Sequence, residues 1–249
     1  MYTVPRNTRL LGKNLIFRPE VPSTNTLAIE FAKGGEIQDG TVVITANQSA
    51  GKGQSGTIWS SEPSRNLTFS IYLERPLAAA DAFLLNIIAS LSITDLCTAL
   101  GISGVQVKWP NDVLVSGKKI SGILCENSIQ GEQVRYAVIG IGLNVNQTTF
   151  NGFAATSLAI ESVDTFQLND IFHLLMECVE VRLDQLRSGA HGPLRMEWLR
   201  SLFLFQTPHT FTTPNGPLAG TITGIDPSGR LMIETDHGTR IFGPKEITP

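Results

Sequence analysis

Lys108-Trp109-Pro110-Asn111-Asp112 sets a cation, an aromatic ring, a φ-fixing proline, an amide and a carboxylate in five consecutive positions at the end of an expected strand. Such a density of chemically distinct side chains is hard to justify by folding. The competing account is a strand-terminating turn, with Trp109 in the core and Asn111 and Asp112 bonded to local backbone. A second candidate is Gly51-Lys52-Gly53-Gln54-Ser55-Gly56, whose glycines let backbone N–H groups approach an anion while Lys52 adds charge. It lacks the Gly-Lys-Ser/Thr ending and following helix of a P-loop, and a mobile surface loop would have the same composition. Lys119 follows a hairpin turn and reads equally well as a solvated edge lysine. In Ile139-Gly140-Ile141-Gly142-Leu143-Asn144 the glycines alternate with aliphatics, leaving one face of a strand as bare backbone on which something flat could lie. Gly122, before Ile123 and Leu124, is similar, and helix packing or a bulge would explain either. Ser23-Thr24-Asn25 serves as a helix cap without any ligand. His173, His191, His209 and His237 share no metal spacing or nucleophile partner, and Cys97, Cys125 and Cys178 offer neither a metal pair nor a disulfide framework, so no protein metal site is expected.

These residues need a sheet to hold them. Leu15 to Val21, Thr41 to Ala46 and Asn66 to Leu73 read as strands, and a helix after Ser23 carries Leu27 and Phe31 at i,i+4 spacing and ends at Gly34-Gly35. Asp81 to Leu100 is an apolar core helix closed by Gly101. Val105 to Trp109, Val113 to Val115, Ile120 to Glu126 and Gln133 to Val145 form an antiparallel, strand-rich stretch turning at Ser116-Gly117-Lys118. Helices over Leu168 to Leu186 and Leu194 to Phe203 cover a sheet face. From Thr210 the pattern changes to short strands between turn signals, a small β-barrel that needs docking to be stable. The expected domains are therefore 1–206 and 207–249, in an α+β fold with a mixed, largely antiparallel sheet.

The 249 residues are 42% hydrophobic and 16% charged, ordinary globular composition, and the formal net charge of −3 supplies no field for a nucleic acid backbone. No window reaches the roughly 18 uninterrupted apolar residues of a membrane span, and the thiols are expected to be reduced in a cytoplasmic protein. The glycine-rich strand Gly140–Asn144 could pair across a two-fold axis at a sheet edge or remain covered, so monomer and homodimer are both open.

Taken in order, Ser23-Thr24-Asn25, the Gln48 to Gly56 loop, Lys108-Trp109-Pro110-Asn111-Asp112, Lys119 with Gly122-Ile123-Leu124, and Gly140-Ile141-Gly142-Leu143-Asn144 resemble the catalytic domain of biotin protein ligases. The resemblance spans roughly Val21 to Asn146, and Gly224-Ile225-Asp226, Gly229-Arg230-Leu231, Glu234 and Gly243 to Ile247 look like that family's small SH3-like domain. It implies a class II synthetase-like fold and a two-step acyl transfer. Biotin is activated by ATP, with Mg2+, as biotinyl-5'-AMP, and the biotinyl group passes to a lysine of a biotin carboxyl carrier protein of acetyl-CoA carboxylase. By resemblance Lys108, Asp112 and Lys119 are catalytic. Ser23, Thr24, Asn25, Gln48, Gly51, Lys52, Gly53, Gln54, Trp59, Lys119, Gly122, Ile123 and Leu124 would hold biotin. Lys52, Gln54, Trp59, Lys108, Asn111, Gly140, Gly142 and Asn144 would hold ATP or the adenylate.

Two departures matter. The family's loop often reads Gly-Arg-Gly-Arg-Arg-Gly, whereas Lys52, Gln54 and Ser55 stand in the basic positions here, which implies weaker retention of the adenylate. Only about 20 residues precede Ser23, too few for a helix-turn-helix domain, so DNA binding is not expected. Two alternatives stay open: a lipoate or octanoate ligase or transferase of the same fold, and a non-catalytic biotin or nucleotide sensor.

Overall fold

The structure is a computed structural model that describes residues 2–74 and 77–249, without the side chain of Ser55. In chain order it runs β1 (Leu15–Val21), α1 (Thr24–Gly34), β2 (Val42–Gln48), β3 (Leu67–Leu73), the short β4 (Leu77–Ala78) and α2 (Leu84–Ala99). Next come β5 (Val105–Lys108), β6 (Asp112–Val115), β7 (Lys118–Gln130) and β8 (Gln133–Leu143), then α3 (Leu158–Ser162), α4 (Leu168–Arg187) and α5 (His191–Ser201). The last elements are β9 (Pro208–Thr213), β10 (Gly216–Ile225), β11 (Leu231–Thr235) and β12 (Gly238–Phe242).

An eight-stranded sheet has the order β1-β2-β3-β8-β7-β6-β5, with β4 paired to β8. β1 and β2 are parallel and the other neighbours antiparallel. The parallel pair needs a crossover, and α1 supplies it. Ser23 caps α1 by accepting the Thr26 N–H at 3.4 Å, and Gly35 ends it in the left-handed region at φ 72°. At the β6–β7 hairpin both turn residues have positive φ, Ser116 at 49° and Gly117 at 79°. Lys118, expected in that turn, is already strand, and β7 runs on past Glu126 to Gln130.

Strand alternation divides the sheet's two faces. Ile139, Ile141 and Leu143 of β8 join the main core with α2 and α4, whereas Val138 packs with Ala28 and Ile37 beneath α1. Gly140 and Gly142 therefore face the α1 side. The apolar character of α2 follows from its position: the sheet lies on one side and α4 and α5 on the other. The buried Trp198 of α5 donates its indole N–H to Ser90 of α2 at 3.0 Å. Arg182 of α4 grips Asp95 of α2 and Glu197 of α5, tying the three helices together.

Of the two options for Gly140–Asn144, the exposed sheet edge is overturned and the covered strand holds. β8 is bonded on both sides, to β3 and β7, so its backbone groups are already used. The β5 edge is covered where Phe203 N–H donates to Val107 O at 2.7 Å. The β1 edge carries the exposed Arg18, Pro19 and Glu20, which discourage a further strand.

β9 to β12 form a four-stranded antiparallel sheet whose inward Phe211, Ile222, Leu231, Ile233 and Phe242 are continuous with the main core. Trp109 is half-buried and spans the junction, donating its indole N–H to Gly229 O at 2.8 Å. Gly229 is in the left-handed region at φ 84°, and a Cβ there would overlap Phe83.

Candidate active site

The N-terminus of α1, the α1-facing sheet surface, the 51–59 segment and the small sheet enclose a cleft of about 520 Å³, within the size range of a small-molecule site. At one end Gln48 closes β2. Its Oε1 accepts the Thr24 N–H at 2.8 Å and lies 3.2 Å from Thr24 Oγ1. The amide oxygen is thus committed to the helix terminus, and Nε2 keeps its donors for the cleft. Asn25 also lines the cleft, but its amide is spent inside the protein. Nδ2 donates to Leu124 O at 3.1 Å and Glu126 Oε2 at 2.8 Å, while Oδ1 accepts from Ser70 Oγ at 2.5 Å.

The bare glycine face of β8 is covered by the chain's own side chains. A Cβ on Gly140 would overlap the Asn25 amide, and one on Gly142 would overlap the Trp59 indole. The flat group expected on this strand is therefore Trp59 itself at Gly142, and a nucleotide could reach that face only beyond the indole. Gly122 packs against the same ring, where an added Cβ would meet Trp59 Cζ3 at 3.2 Å and Lys119 Nζ at 3.1 Å. The Trp59 indole N–H is buried and has no acceptor among the described residues, an arrangement that costs about 1–3 kcal/mol unless a ligand completes it. Gly142→Ala is accordingly expected to expel Trp59, lowering stability by about 1–3 kcal/mol and weakening ligand binding more than tenfold. Thermal unfolding and calorimetric titration measure the two effects, and unchanged values of both would refute the packing argument.

Lys119 and Asp112 meet at the opposite end. Lys119 Nζ lies 2.7 Å from Asp112 Oδ1 and 5.7 Å from the centroid of the Trp59 ring. Lys119 is not the solvated edge lysine its position beside a turn allows. Lys108 is the register partner of Asp112 across the β5–β6 hairpin, so the string that spans the turn delivers both to the cleft. Asn111 fastens that turn to β7, donating Nδ2 to Ile123 O at 2.7 Å and accepting the Ile123 N–H at 2.9 Å. Asn144 likewise holds structure, with Nδ2 donating to Thr156 O at 2.9 Å. Lys119 N–H donates to Ala154 O and Lys119 O accepts the Thr156 N–H, both at 2.9 Å, which lays the 150–156 segment along the reactive strand.

The 51–59 segment is a flap: Lys52 bridges Ile58, Gly53 N–H donates to Thr57 O at 2.7 Å, and Gln54–Gly56 forms a single 3-10 turn. Lys52, Gly53 and Gln54 reach the cleft, as do Ser23, Ile123 and Leu124. Gly51 does not, a departure from its expected place against the ligand. It is buried behind the site, where a Cβ would overlap Trp59 O and sit 2.7 Å from Gln48 Nε2, so its backbone backs the two residues that do face inward.

Several lining residues escaped the sequence analysis. Phe150 and Phe153 overhang the mouth, Phe153 being 75% exposed, and Phe211, Leu231 and Ile247 wall the cleft from the small domain. Two aromatics in the polar, turn-forming stretch Thr148-Thr149-Phe150-Asn151-Gly152-Phe153 were the available signal. Burial pushes the Cys97 and Cys125 thiols up to about 12 and Cys178 up to about 11, so none supplies a thiolate near neutral pH. Among the described residues no three His, Cys, Asp or Glu side chains gather as a metal site.

The chain matches the Biotin/lipoate A/B protein ligase family over residues 18–144 and the Biotin protein ligase C terminal domain over residues 210–243. It is 30% identical to the bifunctional ligase/repressor BirA of Bacillus subtilis, with the alignment covering 94% of this chain and 73% of that protein. It is 28% identical to the biotin--[acetyl-CoA-carboxylase] ligase of Paracoccus denitrificans, over 90% of this chain and 96% of the relative. Among solved structures, the biotin protein ligase of Aquifex aeolicus in complex with biotin and ATP superimposes with a TM-score of 0.77 at 23% identity, over 95% of this chain and 98% of that one. With the matched regions holding both the cleft's cationic strand and the small sheet that walls it, the chain belongs to the biotin/lipoate A/B protein ligase family.

Proposed function

We infer that the protein is an ATP-dependent biotin ligase that forms biotinyl-5'-AMP and passes the biotinyl group to a lysine of a carboxylase carrier domain. The observation that carries this reading is one cleft with chemically opposite ends: Thr24 and Gln48 at the first, Lys108, Asp112 and Lys119 at the second. A cyclic urea with an acidic tail has the matching polarity, since its head exchanges hydrogen bonds with Thr24 and Gln48 while its carboxylate reaches toward the cations. Lipoate, with no urea, would leave Gln48 Nε2 without an acceptor, and the match to the Biotin protein ligase C terminal domain also favours biotin.

In the first step a biotin carboxylate oxygen attacks the α-phosphorus of ATP and pyrophosphate leaves. Lys119 and Lys108 offset the negative charge that accumulates there. The apolar wall of Trp59, Ile123 and Leu124 along the acyl chain keeps water from the anhydride. In the second step the carrier amine attacks the anhydride carbonyl and AMP leaves. Magnesium enters with ATP as part of the co-substrate. Among the described residues Asp112 is the only acidic side chain lining the cleft, so the phosphates and water must supply most of the ion's ligands. We place the reaction in the cytoplasm, where ATP and the carboxylase meet.

Gln54 reaches the cleft from the flap with hydrogen-bonding groups but no charge. Gln54→Arg is expected to slow release of biotinyl-5'-AMP about threefold to tenfold. Release can be followed by chase with unlabelled biotin and ATP, and an unchanged rate would show that the missing charge is immaterial. The reading itself is tested by biotin-dependent exchange of labelled pyrophosphate into ATP, beside lipoate and octanoate controls. Exchange with biotin alone establishes the first half-reaction; exchange with none of the three acids overturns it.

A further inference from the structure

Glu126 lies two positions beyond Leu124 on β7 and is absent from the set that touches the cleft. Its carboxylate can only accept hydrogen bonds, and it accepts one from Asn25 Nδ2 at 2.8 Å while Leu124 O takes the other Nδ2 hydrogen at 3.1 Å. Both amide hydrogens of Asn25 are then committed, and its Oδ1 is turned onto Ser70 Oγ, 2.5 Å away. Ser70 is fully buried and carries one hydroxyl proton. Asn25 Oδ1 cannot donate, so that proton belongs to the Ser70–Asn25 bond.

The Ser70 oxygen lies 2.7 Å from Thr24 Oγ1 and is left to accept the Thr24 hydroxyl proton. The alternative acceptor for that proton, Gln48 Oε1, is further away at 3.2 Å and already holds the Thr24 N–H. Thr24 therefore offers oxygen lone pairs to the cleft beside the Nε2 donors of Gln48. An acceptor next to a donor is the complement of a urea, with its N–H beside its C=O. If Asn25 turned over, Ser70 would accept from Nδ2 and donate to Thr24, which would then offer a proton instead. The Glu126 charge opposes that reversal, because the flipped amide oxygen would face the carboxylate as well as Leu124 O. Gly140 lets Asn25 lie flat enough to make these bonds.

We propose that Glu126 is a positioning residue that fixes the donor–acceptor polarity of the urea-reading end, acting through Asn25, Ser70 and Thr24. The proposal rests on the biotin reading above. Its test is the calorimetric Kd for biotin in the full-length protein. Glu126→Met, apolar and of similar length, is expected to raise Kd about fivefold to tenfold, and Glu126→Gln, which keeps an accepting oxygen, to restore it to within about twofold of the parent. In a Thr24→Val background, where there is no hydroxyl to orient, Glu126→Met should have no further effect. Ser70→Ala cuts the chain on the other side of Asn25 and is expected to match Glu126→Met, so the argument survives if Met at 126 prevents folding. An unchanged Kd in the soluble variants, or a full effect that persists without the Thr24 hydroxyl, overturns the proposal alone. A parent protein that binds no biotin overturns the function and this inference together.

Discussion

Lys119→Ala is expected to reduce biotin-dependent pyrophosphate exchange about a thousandfold or more and to abolish carrier labelling. Three observations make this the most costly single change. Lys119 pairs with Leu114 across the β6–β7 hairpin, three residues before Gly122, which packs on Trp59, and its ammonium lies 5.7 Å from the centroid of that ring. Its backbone N–H and C=O are both bonded to the 150–156 segment, which fixes the point from which the side chain departs. A preorganised charge at developing negative charge is worth about 2.7–4 kcal/mol when removed from comparable sites, and here two anionic reactants must also be brought together. Stability should move little, because the side chain is 35% exposed and such an ion pair contributes at most about 1 kcal/mol. Exchange within tenfold of the parent, in a variant with an unchanged unfolding temperature, would remove Lys119 from the chemistry.

The fold was legible wherever one local rule acted alone. β1 begins and ends where its sequence pattern does, and Ser23 and Gly35 mark α1 by ordinary capping. Elements built by tertiary pairing were not. β4 has two residues and exists because Leu77 and Ala78 meet Val134 and Gln133 across β8. The short α3 has a readable Ser157 cap, but its single buried apolar residue, Leu158, gives no helical period. The length of β7 is set by the far end of β8, which a pattern ending at Glu126 cannot anticipate.

The site divides the same way. Residue types that are odd for a fold, such as the string from Lys108 to Asp112, announce themselves in one dimension, and all but Gly51 of the expected residues line or underlie one cleft as expected neighbours. The purpose of a glycine is not legible alone, because what it makes room for comes from elsewhere: Asn25 for Gly140 and Trp59 for Gly142. Ser70 and Glu126 read as an ordinary buried serine and a strand glutamate, and only the hydrogen bonds they share with Asn25 set them apart. The contribution of the small domain was hidden for a related reason. Its own core is continuous with that of the large sheet, so residues 120 positions apart, Trp109 and Gly229, meet at the cleft's border.

Asp112→Asn is expected to separate the two half-reactions, with pyrophosphate exchange kept within about tenfold and transfer to the carrier lysine slowed about a hundredfold to ten-thousandfold. In the free protein Asp112 Oδ1 is occupied by Lys119 at 2.7 Å. A carboxylate or phosphate arriving at Lys119 competes for that ammonium, and the Asp112 oxygen it frees lies beside the anhydride at the moment an acceptor is needed. The incoming amine, with an ordinary pKa of ~10.4, is almost wholly protonated at neutral pH and must lose a proton to attack. Asparagine preserves the shape and can still bond locally, but it cannot take that proton. Transfer by the variant should therefore rise steeply with pH, about tenfold per unit below the amine pKa, while the parent rises less. If Asp112 instead positions phosphate or its magnesium, exchange and transfer fall together and pH restores neither. Single-turnover transfer from preformed biotinyl-5'-AMP to a carrier domain, measured beside exchange across the pH range, distinguishes a base that acts only after Lys119 has changed partners from a charge that acts throughout.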